Sequence, residues 1–406
     1  MAILEGIQIQ NFRALKNVTL GATFGNSAEV LPRLMTVIGA NGTGKSSLMD
    51  ALGFIGDCLT EGVQAACDKP NRGGLERLRT QGTTEPIGFE VRYRENSKAR
   101  PISYSLQIDN DKRGRTVVVY ERLRQRRGGV SAGQPYSFLE ISNGRGTVWA
   151  GEQTAKAEGN RRDDIKMSDR QVLGISTLGT LADHPRIAAF RSFLSGWYLS
   201  YFVPHSARGQ PIAGAEPHLD RTGENLGKYL QFIAREHPAS FKAMLERIAT
   251  KIPGVQRIKP VSAPDKRLLL EFHAEGYGEP FFQQDMSDGT LKMLAYMLLM
   301  EDPDPPPLVG IEEPENGLHH QLLAQLAIEF KEFARKKGGP QVLITTHAPN
   351  FVDALAPGEV WILEKGADGF SQMTRAADLA GVKELFDEGI TMGSLWYSNH
   401  FGIGNP

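Results

Sequence analysis

Residues Gly39–Ser47, GANGTGKSS, constrain this chain more than any other stretch. They put Gly39, Gly44, Lys45 and Ser46 at the fixed places of the pattern G-x-x-x-x-G-K-[ST]. An apolar strand candidate, Leu34–Ile38, precedes the loop and a helix candidate, Ser46–Thr60, follows it. Glycines let backbone amides curl around phosphate oxygens, and a helix start adds positive potential. The segment Asn41, Gly42, Thr43, Gly44, Lys45, Ser46 and Ser47 is therefore the candidate ATP cradle. Within it Lys45 is placed to reach the β- and γ-phosphates, and the Ser46 hydroxyl to ligate Mg²⁺. An α/β fold is expected around a strand–loop–helix unit of this kind.

Leu308–His320, LVGIEEPENGLHH, supplies the acids. Two adjacent carboxylates at the end of a buried strand repel each other and lose hydration unless something positive lies beside them. Glu312 ends the strand candidate, where P-loop enzymes hold Mg²⁺ through an acidic residue (the Walker B position), and Glu313 is the candidate general base for the attacking water. Alternation along a strand would send one carboxylate to the metal and the other to the γ-phosphate. Two further pieces follow the same order. Met286–Leu294, MSDGTLKML, starts a helix with Ser287 as N-cap, so Ser287, Asp288 and Gly289 offer a second anion-binding terminus. LITTHAPN ends a strand on His347, a candidate partner for the γ-phosphate or the water.

Around these motifs the 406 residues divide into zones, enough chain for one large domain or two ordinary ones. Up to about 150 the stretches LMTVIG, IGFEVRYR, ISYSLQID, RTVVVYERLR and YSFLEIS read as strands, mostly of an antiparallel sheet with one solvated face. From about 151 to 285 the spacing is helical, in VLGISTLGTLA, IAAFRSFLSGWYLSYF and LGKYLQFIAREHPASFKAMLERIATKI. From 286 to 365 helix and strand alternate, and Leu322, Leu326, Phe330 and Phe333 fall on one face of the helix after His320. Residues 366–406 form a tail whose Trp396, Tyr397 and Phe401 either pack on the body or dock a partner. Sustained heptads are absent, so no coiled-coil arm is expected. Cys58 and Cys67 fit no zinc spacing and read as inert thiols of a reducing cytosol. The N-terminus lacks a signal-peptide layout and no run suits a membrane span, so a soluble cytoplasmic protein is expected. Formal charge is −1, which gives no general pull toward nucleic acid. Arg122, Arg124 and Arg126 nevertheless share one face of a strand, either as a phosphate-backbone contact or as a solvated face balanced by acids.

With these residues in place, the sequence resembles the ABC-type ATPase heads of the SMC, RecF and OLD group. It is most similar to the short bacterial AAA-type ATPases that lack arms. IQNFRALKNVTL resembles their first strand and turn, GANGTGKSS the Walker A, MSDGTLKML the signature, GIEEPENGLHH the Walker B and D-loop, and TTHAPNF the switch histidine. The resemblance implies a two-lobed head without an arm, with a mixed or antiparallel β lobe and a helical lobe. It implies a head-to-tail homodimer or higher assembly, with ATP between the Walker A of one subunit and Ser287, Asp288 and Gly289 of the other. Arg13 would lie near the nucleotide, and Asn316 in the D-loop would approach the partner's site. The implied activity is hydrolysis of ATP with Mg²⁺, driving a dimerisation switch that regulates a nuclease-like effector in anti-phage defence. The alternative is a RecF-like ATPase of DNA repair, with nucleic acid as partner. Three departures stand out: Glu312 where such heads usually carry Asp, Ser-Asp-Gly in the signature, and only Gln81 as a candidate for the Q-loop glutamine.

Overall fold

The first 38 residues supply strands to two different sheets. In the computed structural model, which describes residues 2–26, 28–126, 134–150, 161–209, 214–264 and 267–402, β1 (Ile3–Phe12) and β2 (Leu15–Gly21) form a hairpin. β3 (Leu34–Ile38) joins another sheet, and its side chains show why. It is buried at every position, with Leu34 and Ile38 in one hydrophobic core and Met35 and Val37 in the other. Only a strand covered on both faces reads as an unbroken apolar run.

The hairpin continues through β4 (Ile87–Arg94), β5 (Ile102–Asn110), β6 (Thr116–Arg126), β7 (Pro135–Ser142), β8 (Arg145–Ala150) and β9 (Arg161–Lys166). Together they make an eight-stranded antiparallel sheet in the order β2-β1-β4-β5-β6-β7-β8-β9. This sheet crosses the boundary expected at 150, because β9 pairs with β8.

The zone after it is less helical than its spacing predicts. Helices run over Pro185–Ser195, Leu226–Glu236 and Pro238–Ala249, the last two broken at Pro238, which cannot donate a helical hydrogen bond. VLGISTLGTLA yields only the short helix Gly174–Leu178. Four strands lie in the same zone: β10 (Tyr198–Ser200), β11 (Val255–Ser262), β12 (Leu268–Ala274) and β13 (Phe281–Phe282). The last three form a small antiparallel sheet packed against the 226–249 helices. A three-residue strand such as β10 is too short to show a period of two.

β14 (Leu308–Glu312), β15 (Gln341–Thr346), β16 (Val360–Lys365) and β17 (Ser371–Arg375) complete the six-stranded sheet, ordered β10-β14-β15-β3-β16-β17. Its first five strands are parallel and β17 is antiparallel. Between β14 and β15 the helix His320–Arg335 buries Leu326, Phe330 and Phe333, with Leu323 in the buried place expected of Leu322. In the tail Trp396 and Phe401 are buried and Tyr397 is exposed, while 403–406 lie outside the described residues. Cys58 and Cys67 are buried free thiols, and burial pushes Cys67 up to about 12. Among the described residues no helix is long and apolar enough to cross a membrane.

One buried side chain stitches the two sheets together. Gln341 at the start of β15 donates to the Leu4 and Pro32 carbonyls (2.8 and 3.2 Å) and accepts from the Leu4 amide (2.6 Å). Gln341→Leu would leave these backbone groups buried without partners, each such group costing about 1–3 kcal/mol. We expect the variant to lose about 2–4 kcal/mol. A urea unfolding midpoint equal to that of the wild type would refute the stitch.

Candidate functional site

The parallel strands end in register. Glu312 pairs with Thr345, and Thr346 with Ile38, so the C-terminal ends of β14, β15 and β3 open onto one edge. Ligands of open α/β sheets bind at such an edge. The loop leaving β3 requires its glycines. A Cβ on Gly39 would stand 2.2 Å from the Leu363 carbonyl oxygen, and Gly44 has a left-handed φ of 110° where it caps the helix Lys45–Glu61.

The Lys45 ammonium is buried in this loop, donating to the Gly39 and Ala40 carbonyls at 2.8 and 3.2 Å. Burial lowers its pKa, and Glu313, Glu315 and Glu312 oppose that shift. Glu313 Oε1 lies 3.8 Å from the ammonium and 3.5 Å from His347 Nδ1. Its other oxygen accepts the Asn316 side-chain amide at 3.0 Å. Glu312 stands against the Ser46 hydroxyl, which hydrogen-bonds it; burial raises its pKa despite that bond, and Glu313 raises it further.

The pair of glutamates is not divided by strand alternation, as the sequence suggested. β14 ends at Glu312, and Glu313 has left its geometry with φ 43°, a left-handed conformation costly for a residue with a Cβ. That turn swings both carboxylates to the same edge, Glu312 toward Ser46 and Glu313 toward Lys45.

The signature residues meet a different set of partners. Ser287 caps the helix Asp288–Met300 by accepting the Thr290 amide, as its N-cap position predicts. Asp288 pairs with Arg208, and a Cβ on Gly289 would press on the Gly317 carbonyl at 2.8 Å. Among the described residues these contacts do not include the P-loop. Arg13, itself left-handed at φ 50°, pairs with Asp50 on the P-loop helix at 2.9 Å and donates to the Asn71 carbonyl. Gln81 is exposed, next to Thr80, whose hydroxyl donates to the Arg13 carbonyl.

Sequence reasoning missed several residues at this edge. β10 lies parallel to β14 with Ser200 opposite Ile311, which brings Ser200 and the exposed Tyr201 beside the Glu312 end of the sheet. Lys292, buried in the signature helix, donates to the Asn316 and Glu313 carbonyls at 2.8 and 3.3 Å. Glu315 is buried and accepts the His347 amide. The only signal for the last was its place in the Glu-Glu-Pro-Glu run.

The arginine face of β6 is engaged by its own sheet and by the loop after β2. Arg124 pairs with Glu90 and lies 3.6 Å over the Phe24 ring, Arg126 lies over the same ring, and Arg122 lies over Tyr120. Residues 127–129 of that basic run are outside the described set.

Comparison with known proteins agrees with the fold. Two crystal structures are similar: an Smc head bound to the C-winged helix domain of ScpA, and an Smc head with an extended coiled coil bound to the C-terminal domain of ScpA, derived from Pyrococcus furiosus. The first is 13% identical with a TM-score of 0.53, covering 91% of this chain and 97% of the other. The second is 14% identical with a TM-score of 0.50, covering 92% and 96%. The fold is therefore that of an ABC-type, SMC-like ATPase head. No curated protein matches the chain in sequence. A family model does match, over residues 34–353, from the first residue of β3 to just beyond His347. The chain belongs to the family described as AAA domain, putative AbiEii toxin, Type IV TA system.

Proposed function

We propose that this protein binds and hydrolyses ATP with Mg²⁺ and uses the cycle as a dimerisation switch. One observation carries the reading: Lys45, Glu313 and His347 form a contiguous polar cluster at the sheet edge, with Ser46 against Glu312 beside them. In this reading the P-loop amides and Lys45 bind the β- and γ-phosphates. Glu313, held by Asn316, takes the proton of the attacking water, and His347 orients the γ-phosphate or that water. Ser46 and Glu312 would hold the cation, and a hydroxyl beside a carboxylate is the hard oxygen donor set that Mg²⁺ takes. Bound there, Mg²⁺ would neutralise charge on the phosphates.

That Ser287, Asp288 and Gly289 meet partners other than their own P-loop, among the described residues, supports completion of the site by a second copy. Ser287, Asp288 and Gly289 of one subunit would close on the ATP of the other, with Asn316 at the shared edge. The proposed output is control of a separate effector in defence, in keeping with the toxin–antitoxin setting in the family's description. The Smc heads that this fold resembles are themselves bound to another protein.

The test is native mass with ATP, with ADP and without nucleotide, together with phosphate release. We expect an ATP-dependent dimer and Mg²⁺-dependent turnover. A monomer in all three states would remove the switch. The effector is tested by co-purification with the product of the neighbouring gene, and no recovery in any nucleotide state would remove that part alone.

A further inference from the structure

Glu315 sits in the turn after β14 and is only 8% exposed. Its Oε1 accepts the Thr346 hydroxyl at 2.8 Å and the His347 backbone amide at 2.7 Å. The same oxygen stands 3.1 Å from His347 Nδ1, within hydrogen-bond distance though not aligned for one. Among the described residues Oε2 is buried with no hydrogen-bond partner.

This is a costly way to fill a turn. A buried carboxylate with acceptors left over loses hydration that nothing returns, and an apolar side chain of similar volume avoids that loss. A role in stability alone therefore does not account for Glu315. Its contacts do: both hydrogen bonds go to the end of β15 that delivers His347. Its charge also acts on Lys45 and Lys292, the buried lysines of the P-loop and the signature helix.

His347 Nδ1 faces two carboxylates, Glu315 at 3.1 Å and Glu313 at 3.5 Å. A neutral imidazole carries one N–H, and an acceptor beside one nitrogen fixes the proton there and leaves the other bare. Carboxylates orient metal-binding histidines in the same way. We propose that Glu315 is a positioning residue: it anchors the turn carrying His347 and keeps the proton on Nδ1, so that Nε2 is the nitrogen offered to the nucleotide or its attacking water. The inference rests on the ATPase reading above and adds a residue to it.

Glu315→Gln keeps the volume and removes the charge. We expect its Kd for a fluorescent ATP analogue to change less than about threefold while kcat falls about tenfold or more. The double variant Glu315→Gln/His347→Gln should turn over no more slowly than His347→Gln alone, because one residue acts through the other. Wild-type kcat in Glu315→Gln overturns the proposal, as does a double variant whose loss is the product of the two single losses. If Glu315→Gln does not fold, Glu315→Asp replaces it. Drawing the carboxylate back by one methylene should lower kcat with nucleotide Kd unchanged, and wild-type kcat there overturns the proposal equally. The two readings fail separately. A wild type that releases no phosphate from ATP sinks the ATPase assignment, whereas an active wild type with inactive Lys45→Ala and Glu313→Gln beside a fully active Glu315→Gln sinks only the role of Glu315.

Discussion

Glu313→Gln is expected to bind ATP with wild-type affinity and to release phosphate about 10²–10⁴-fold more slowly, the usual range for loss of a positioned general base. The fold should tolerate the change. Gln has the same length, adopts the same left-handed backbone no less easily, and its amide oxygen can still accept from Asn316. What it cannot do is accept the proton of the water. ATP would then remain between subunits, and the native mass should shift to twice that of one chain and stay there. Steady-state phosphate release at the wild-type rate would remove Glu313 from the base role.

Lys45→Ala should fail one step earlier. The ammonium already gives its hydrogen bonds to the Gly39 and Ala40 carbonyls, inside the loop whose amides are to meet the phosphates. A charge-assisted hydrogen bond contributes about 1.5–3 kcal/mol, so losing contacts to two phosphates weakens ATP binding by about 10²–10⁴-fold. Removing a buried cation also leaves Glu313 without its nearest lysine, so binding should remain weak even where Mg²⁺ is in excess. Equilibrium binding of ATP within threefold of the wild type would contradict the assigned cradle.

Legibility in the sequence followed chemical constraint. A loop that wraps phosphate admits few residues at Gly39, Gly44 and Lys45, and a strand buried on both faces is mostly apolar, so β3, β14 and β15 could be read directly. β10 could not, because three residues at the end of a helical run show no period, and the edge residues Ser200 and Tyr201 went unseen with it. Pro238 hid a break inside one long helical pattern. The separation of the Glu312 and Glu313 side chains was expected from alternation, whereas a left-handed turn at Glu313 sets it. Glu315 and Lys292 are ordinary letters in their motifs. Only the packing of the turn after β14 against the signature helix and β15 shows what each one holds.

The place of β3 has a further effect, on synthesis. Its neighbours are β15 and β16, and β15 begins about 300 residues after the loop that β3 supports, on the order of 15–60 s of translation. The antiparallel sheet can form early, from strands that follow one another closely along the chain. The edge at the end of β3 cannot form until β15 and β16 have left the ribosome. A nascent chain ending before Gln341 would carry every residue of the P-loop but neither of the strands that flank β3, and so should leave ATP alone until β15 and β16 have been made.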